Sequence, residues 1–240
     1  MSPCLNVYSL PHVVQPEEMA GGSVVVIDVL RASTTICHAL VAGAAEVIPC
    51  VEVDEAKRIA ADLPGKVLLG GERKGLPIDG FDLGNSPSEY THERVADATL
   101  VFTTTNGTRA LNHARLADRV LMGAFVNASA VVRQLLDQKQ IHILCAGTNG
   151  EYSEDDILLA GFLVQRLERH GAYKYSQNVQ AVTAREYWLH SFAEPQALGV
   201  EPLDPALLVP KLRMSAGGRN LLAVDLEADI TDAAQLARAH

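Results

Sequence analysis

The sequence predicts an α/β protein with helices on both faces of a mostly parallel or mixed sheet, a three-layer α/β/α arrangement. Short β-branched runs alternate with stretches of helical period, and there is no internal repeat or low-complexity segment. Most of the runs are continuously apolar, as strands covered on both faces must be. Taken in order, strands are predicted at 24–29, 46–51, 66–69, 99–103, 120–122 and 141–145, where Val, Ile and Leu dominate. Helices are predicted at 34–42, 55–63, 107–116, 128–138 and 154–170; the last should stop at Gly171, a natural left-handed cap.

Connections are short except for 70–89, GGERKGLPIDGFDLGNSPSE, which has five glycines, two prolines and neither helical nor strand period. Loops of this length inside compact domains are usually functional or disordered. Ile78, Phe81 and Leu83 are unusual in a disordered linker, so an ordered loop is expected, its glycines letting the backbone approach a ligand closely. The chain, 1–240, is expected to form one domain. Pro195, Pro202, Pro205 and Pro210 mark a C-terminal subregion from about 195.

Lys and Arg number 20 against 29 Asp and Glu, a formal charge of -9, so nucleic acid and anionic membrane are disfavoured as partners and a small molecule is favoured. No apolar run approaches the roughly 18 residues of a membrane span. The N-terminus lacks the order of a secretory signal, so a cytoplasmic protein is expected. Cys4, Cys37, Cys50 and Cys145 form no C-x-x-C pair and are expected to be buried thiols in a reducing compartment. The eight histidines show no metal-ligand spacing.

Chemistry concentrates where strands hand over to helices. Asp28 ends the first apolar strand and precedes Arg31, Ser33 and Thr34; Thr104, Thr105, Asn106, Gly107, Thr108 and Arg109 follow another strand; Thr148 to Asp156 follow a third. In an open parallel sheet such junctions face one crevice at the carboxyl edge. Hydroxyls, free helix N–H groups and forked guanidinium donors make a phosphate-binding vocabulary, although Ser and Thr before helices are also ordinary caps. Asp28, Glu72, Asp155 and Asp156 add carboxylates, which a hard cation such as Mg²⁺ would reconcile with a phosphate. For Asp155 and Asp156 a capping role at the helix start competes. An ionised Asp28 after four apolar residues is costly without a partner. The signatures of dinucleotide binding, P-loop hydrolysis, the serine-hydrolase elbow and zincins are absent, and Leu30 replaces the second acid of a D-x-D-x-T phosphatase.

These residues resemble the magnesium-dependent 2-phosphosulfolactate phosphatases, also called the ComB family. The resemblance rests on IDVLRASTTI at 27–36, GERKGLPIDGFDLGNSPSE at 71–89, TTTNGTRAL at 103–111, CAGTNGEYSEDD at 145–156 with Ala160 and Gly161, and a weaker match at 215–230. Asp155 departs from the pattern, in which Glu is commoner. The resemblance implies a ComB-like fold, Mg²⁺, and hydrolysis of (2R)-2-phospho-3-sulfolactate to (2R)-3-sulfolactate and phosphate, a step of coenzyme M biosynthesis. Read from the residues, the candidate catalytic set is Asp28, Arg31 and Arg109, and the candidate metal set is Asp28, Glu72, Asp155 and Asp156. Substrate would be bound by Ser33, Thr34, Arg73, Lys74, Asn85, Thr104, Thr105, Asn106, Gly107 and Thr108. Asp28 could serve as nucleophile, base or metal ligand, and the ligand role is favoured. The expected partner is a small anionic phosphomonoester; homo-oligomerisation stays open. Two other classes fit the residues, a phosphatase of the same fold acting on another small phosphomonoester and a non-catalytic phosphometabolite-binding protein. The retained acids at Asp28, Glu72 and Asp156 weigh against the second.

Overall fold

The computed structural model describes residues 2–193 and 204–235. Among the described residues nine strands form two sheets rather than one continuous sheet. In the first, β1 (Cys4–Tyr8), β2 (Ser23–Ile27), β7 (Arg119–Gly123), β8 (Gln140–Cys145) and β9 (Ser176–Gln177) lie in the order β7-β2-β8-β1-β9. Every pairing in it is parallel. In the second, β3 (Glu46–Pro49), β4 (Val67–Arg73), β5 (Leu76–Pro77) and β6 (Thr99–Thr103) lie in the order β3-β6-β4-β5. Only the β4–β5 hairpin is antiparallel there.

Side-chain alternation assigns each sheet two faces. Val25, Ile27, Ile141 and Ile143 join α5 (Ala128–Leu135), α6 (Glu154–His170) and α7 (Val179–Ser191) in the largest core, while Val24, Val26 and Leu144 meet Ala110 and Ala114 on the opposite face. Ala110 belongs to α4 (Gly107–His113). In the second sheet Leu100 and Phe102 pack on α1 (Ala32–Val41), and Val101 faces α2 (Val53–Asp62). Helices therefore cover both faces of each sheet, as the apolar strands require. Helix α1 carries the chain from β2 in one sheet to β3 in the other, and α4 carries it back from β6 to β7.

Several boundaries differ from the sequence reading. Strand β4 runs through Gly70 and Gly71 to Arg73, because these glycines pair with Phe102 and Thr103 of β6. A Cβ on Gly71 would lie 1.9 Å from Thr103 O. The 70–89 segment is therefore part strand, part hairpin and part ordered loop, with the short helix α3 (His92–Val95) after it. At Gly171 the backbone is extended, φ -66° and ψ 151°, not left-handed; a side chain there would meet Leu167 O and the Tyr175 ring. Cys37, Cys50 and Cys145 are buried, whereas Cys4 is half-buried, and none is in a disulfide. Helix α7 escapes prediction because apolar residues surround it: Ala181, Ala184 and Trp188 are buried while Val179, Val182 and Tyr187 are exposed.

Pro205 and Pro210, read as boundary signals, lie within α8 (Pro205–Met214), where Pro205 occupies the first turn and Asp204 Oδ1 accepts from Ala206 N at 2.8 Å. Pro195 and Pro202 fall outside the described residues. Helices α9 (Ala216–Ala223) and α10 (Glu227–Ala233) follow, and Leu208, Leu212, Leu221 and Ile230 of these three helices enter the core of the first sheet. Among the described residues no helix is long and apolar enough to cross a membrane.

Candidate active site

The three strand-to-helix junctions converge on a cavity of about 480 Å³ at the carboxyl ends of β2, β6 and β8, with the glycine-rich segment closing another side. Of the residues selected from sequence, Asp28, Arg31, Glu72, Lys74, Asn85, Thr105 and Asn106 line it. Ser33, Thr34, Arg73, Thr104, Gly107, Thr108, Arg109, Asp155 and Asp156 do not.

Strand β2 ends at Ile27, and Asp28 begins the turn into α1, where the Leu30–Arg31 peptide is cis. Ser33 Oγ donates to Asp28 O at 2.7 Å and Thr34 Oγ1 to Val29 O at 2.7 Å, so both hydroxyl protons hold the turn itself. Thr35 Oγ1 reaches across to Asn85 O at 2.8 Å and ties this turn to the glycine-rich segment. Thr104 and Thr108 are likewise spent on each other: Thr108 Oγ1 donates to Thr104 O at 2.8 Å, and Thr104 Oγ1 accepts from Thr108 N at 3.2 Å. Gly107 lets α4 come close, since a Cβ there would lie 2.7 Å from Asp28 Oδ2.

Glu72 organises the opposite wall. Its Oε1 accepts from Thr105 N at 2.7 Å, and its Oε2 from Gly75 N at 2.7 Å and Thr105 Oγ1 at 3.1 Å. One carboxylate thus clamps the β4–β5 hairpin to the start of the second junction. Arg73 is turned away, donating to Val51 O at 2.6 Å and Thr103 Oγ1 at 2.8 Å. Lys74 is exposed at the cavity rim, and Arg109 is exposed away from it.

The carboxylates behind the cavity are buried together. Desolvation, then the negative charges of Asp155 and Glu72, push the Asp28 carboxyl up to about 7. Burial also raises Asp155, against the Ser153 and Ser215 hydroxyls that favour its charged form. Asp156 is pushed well above the usual carboxylate range by burial and by Asp155 and Asp28, and its oxygens accept from Val29 N at 2.9 Å and Gly147 N at 3.0 Å. Those two bonds staple β2 and β8 together at their carboxyl ends.

Among the described residues no three His, Cys, Asp or Glu side chains form a ready-made metal cage. Asn85, 6% exposed, supplies a different signal: its Oδ1 is buried without a hydrogen-bond partner. Such an orphaned acceptor is costly unless something completes it. Asp28, Glu72 and Asn85 all line the cavity and bring only oxygen acceptors to it, the chemistry that suits a hard cation whose other positions go to water and phosphate oxygens.

Sequence reasoning missed a further wall, where Gly217, Asn220, Leu221 and Val224 of α9 and the turn after it close the cavity. Thr148 and Asn149 of the third junction, which the sequence placed at the crevice without a role, also line it. Asp229, on α10, is 2% exposed and accepts from Arg31 Nη1 at 2.7 Å. The weak motif at 215–230 was the available signal for this region.

Comparison with known proteins gives a consistent picture. A family model described as 2-phosphosulpholactate phosphatase matches residues 8–240. A protein of Symbiobacterium thermophilum named "Probable 2-phosphosulfolactate phosphatase" is 40% identical over 222 residues, covering 92% of this chain and 89% of the relative. A protein of the same name from Clostridium novyi is 46% identical over 152 residues, 63% of this chain and 65% of the relative, just under two thirds of its length. Another of that name, from Caldanaerobacter subterraneus, is 45% identical over 166 residues, covering 68% of this chain and 69% of the relative.

Proposed function

The chain belongs to the 2-phosphosulpholactate phosphatase family, and from that premise we propose that it is a phosphoric monoester hydrolase that converts (2R)-2-phospho-3-sulfolactate to (2R)-3-sulfolactate and phosphate with Mg²⁺, a step of the coenzyme M type. The observation that carries the proposal is the cavity at the strand ends, which Asp28, Glu72, Arg31 and Lys74 line together. A substrate bearing phosphate, sulfonate and carboxylate brings more negative charge than the wall supplies positive charge, because Arg31 is already ion-paired with Asp229. A divalent cation resolves that imbalance, and Asp28, Glu72 and Asn85 Oδ1 are the residues that would hold it.

Bound there, Mg²⁺ supplies charge neutralisation and polarisation of the phosphoryl oxygens. The protein's own part is positioning. Arg31 offers guanidinium donors to the equatorial phosphoryl oxygens, where charge develops during transfer. Lys74, on a flexible stem at the rim, attracts the anionic ends of the substrate. Glu72 keeps Thr105 and Gly75 in place, and the side chains of Asn106 and Asn149 offer neutral polar contacts to the rest of the molecule.

The test is phosphate release from authentic (2R)-2-phospho-3-sulfolactate, with Mg²⁺ and with excess chelator, beside a panel of phosphorylated hydroxy acids. Turnover should be highest on phosphosulfolactate and fall to background in chelator. Faster release from another panel member would replace the substrate, and no release from any compound would remove the phosphatase reading.

A further inference from the structure

The guanidinium of Arg31 is held by groups from three distant parts of the chain. Nη1 donates to Asp229 Oδ2 at 2.7 Å and to Ser86 Oγ at 3.3 Å, and Nη2 donates to Gly75 O at 3.1 Å. Ser86 Oγ in turn donates to the same Asp229 oxygen at 2.7 Å. The ion pair is almost dry, with the two side chains 4% and 3% exposed. Asp229 lies 198 residues from Arg31, on a helix packed against the Pro87–Glu89 turn of the glycine-rich segment.

A buried charge is costly without a partner, and Asp229 supplies that partner to an arginine that also lines the cavity. Arginine has five N–H donors in a rigid fork. Three are engaged by Asp229, Ser86 and Gly75 O, which leaves Nε–H and one Nη2–H for a ligand in the cavity that Arg31 lines. Left alone, a long side chain would sample many rotamers, and fixing it in advance removes that ordering cost from the bound state.

We infer that Asp229, with Ser86, is a positioning residue that aims the Arg31 guanidinium at the phosphoryl group, so that the C-terminal helices complete the active site. The inference rests on the phosphatase reading for its activity readout, and binding of inorganic phosphate supplies a second readout independent of that reading. The experiment is a cycle of wild type, Asp229→Asn, Arg31→Lys and the double variant. Each is measured for kcat and KM on phosphosulfolactate and for inorganic-phosphate affinity by calorimetry, with folding checked by circular dichroism. Asp229→Asn should lower kcat by roughly 10²-fold, as loss of one transition-state donor does. The double variant should lose no more than Arg31→Lys alone, since groups acting as a unit are non-additive.

A purely structural role would instead lower stability while leaving kcat and phosphate affinity per folded molecule at wild-type values in Asp229→Asn; that outcome, or losses that multiply in the double variant, overturns the inference. Should wild type release no phosphate from phosphosulfolactate, the functional reading fails separately. Phosphate affinity then decides: equal weakening in all three variants supports positioning, and unchanged affinity in Asp229→Asn rejects it. Ser86→Ala keeps the ion pair and covers the case in which Asp229→Asn does not fold. It should cost several-fold in kcat and phosphate affinity, and nothing further in the Arg31→Lys background; additivity there also overturns the inference.

Discussion

At the end of β2, Asp28 has been taken out of water and set near two other carboxylates, and the result is a group poised to exchange its proton or accept a cation. Burial, Asp155 and Glu72 raise its pKa from 3.8 to about 7. A raised carboxyl stabilises the folded chain fully below the unfolded value near 3.8, and that contribution is lost as pH rises through about 7. Asp28→Asn does not titrate. In chelator the variant should therefore gain stability relative to wild type as pH goes from 4 to 8, by as much as about 4 kcal/mol, while losing most phosphatase activity. Urea unfolding across that range checks it, and curves that stay parallel would reject it. Asp156 presents the opposite case, since both of its oxygens accept from backbone N–H groups. In Asp156→Asn one of those donors would face an amide NH₂ group, so a destabilisation of about 1–3 kcal/mol is expected, measurable by the same unfolding assay. Sequence could flag Asp28, because a charge at the end of an apolar strand is anomalous by itself. It left Asp156 between ligand and cap, since the outcome depended on where Val29 N and Gly147 N would lie.

The glycines separate two kinds of consequence at the level of elements. At Gly71, φ is +136° and a side chain would run into the Thr103 backbone, its Cβ 1.9 Å from Thr103 O. Gly71→Ala must displace β4 from β6 and carry the neighbouring Glu72 off Thr105, so its activity loss should exceed its stability loss. In Gly161→Ala the new methyl would lie 2.1 Å from Ala184 O and 2.7 Å from Trp188 Cβ, forcing α6 and α7 apart. A cost of about 1–3 kcal/mol or more is expected, with the rate per folded molecule retained. Thermal unfolding beside active-site titration distinguishes the two. The order in 70–89 was legible from Ile78, Phe81 and Leu83, but the strand within it was not. Two adjacent glycines argue against a strand locally, and only the partner strand shows that they pair.

For the whole molecule, the Mg²⁺ proposal makes a prediction that does not depend on turnover. A cation that binds only the folded state should stabilise the chain by about 2.7 kcal/mol at a hundred times its Kd, and Asp28→Asn should abolish most of that increment. Thermal shift at neutral pH measures it, and an identical shift in the variant would move the site elsewhere. The α/β class, the strand-to-helix junctions and the family were all determined by sequence alone, because apolar runs, turn residues and motif order are local properties written along the chain. Only the tertiary structure divided the strands between two sheets, assigned the Ser33, Thr34, Thr104 and Thr108 hydroxyls to the backbone rather than the cavity, and brought Asp229 to Arg31. The sheet division and the Arg31–Asp229 pair join segments remote in sequence, which no local residue pattern specifies; the hydroxyl bonds span only four or five residues, but whether such a hydroxyl turns to its own backbone or to a ligand is decided by the three-dimensional path of the turn rather than by residue type.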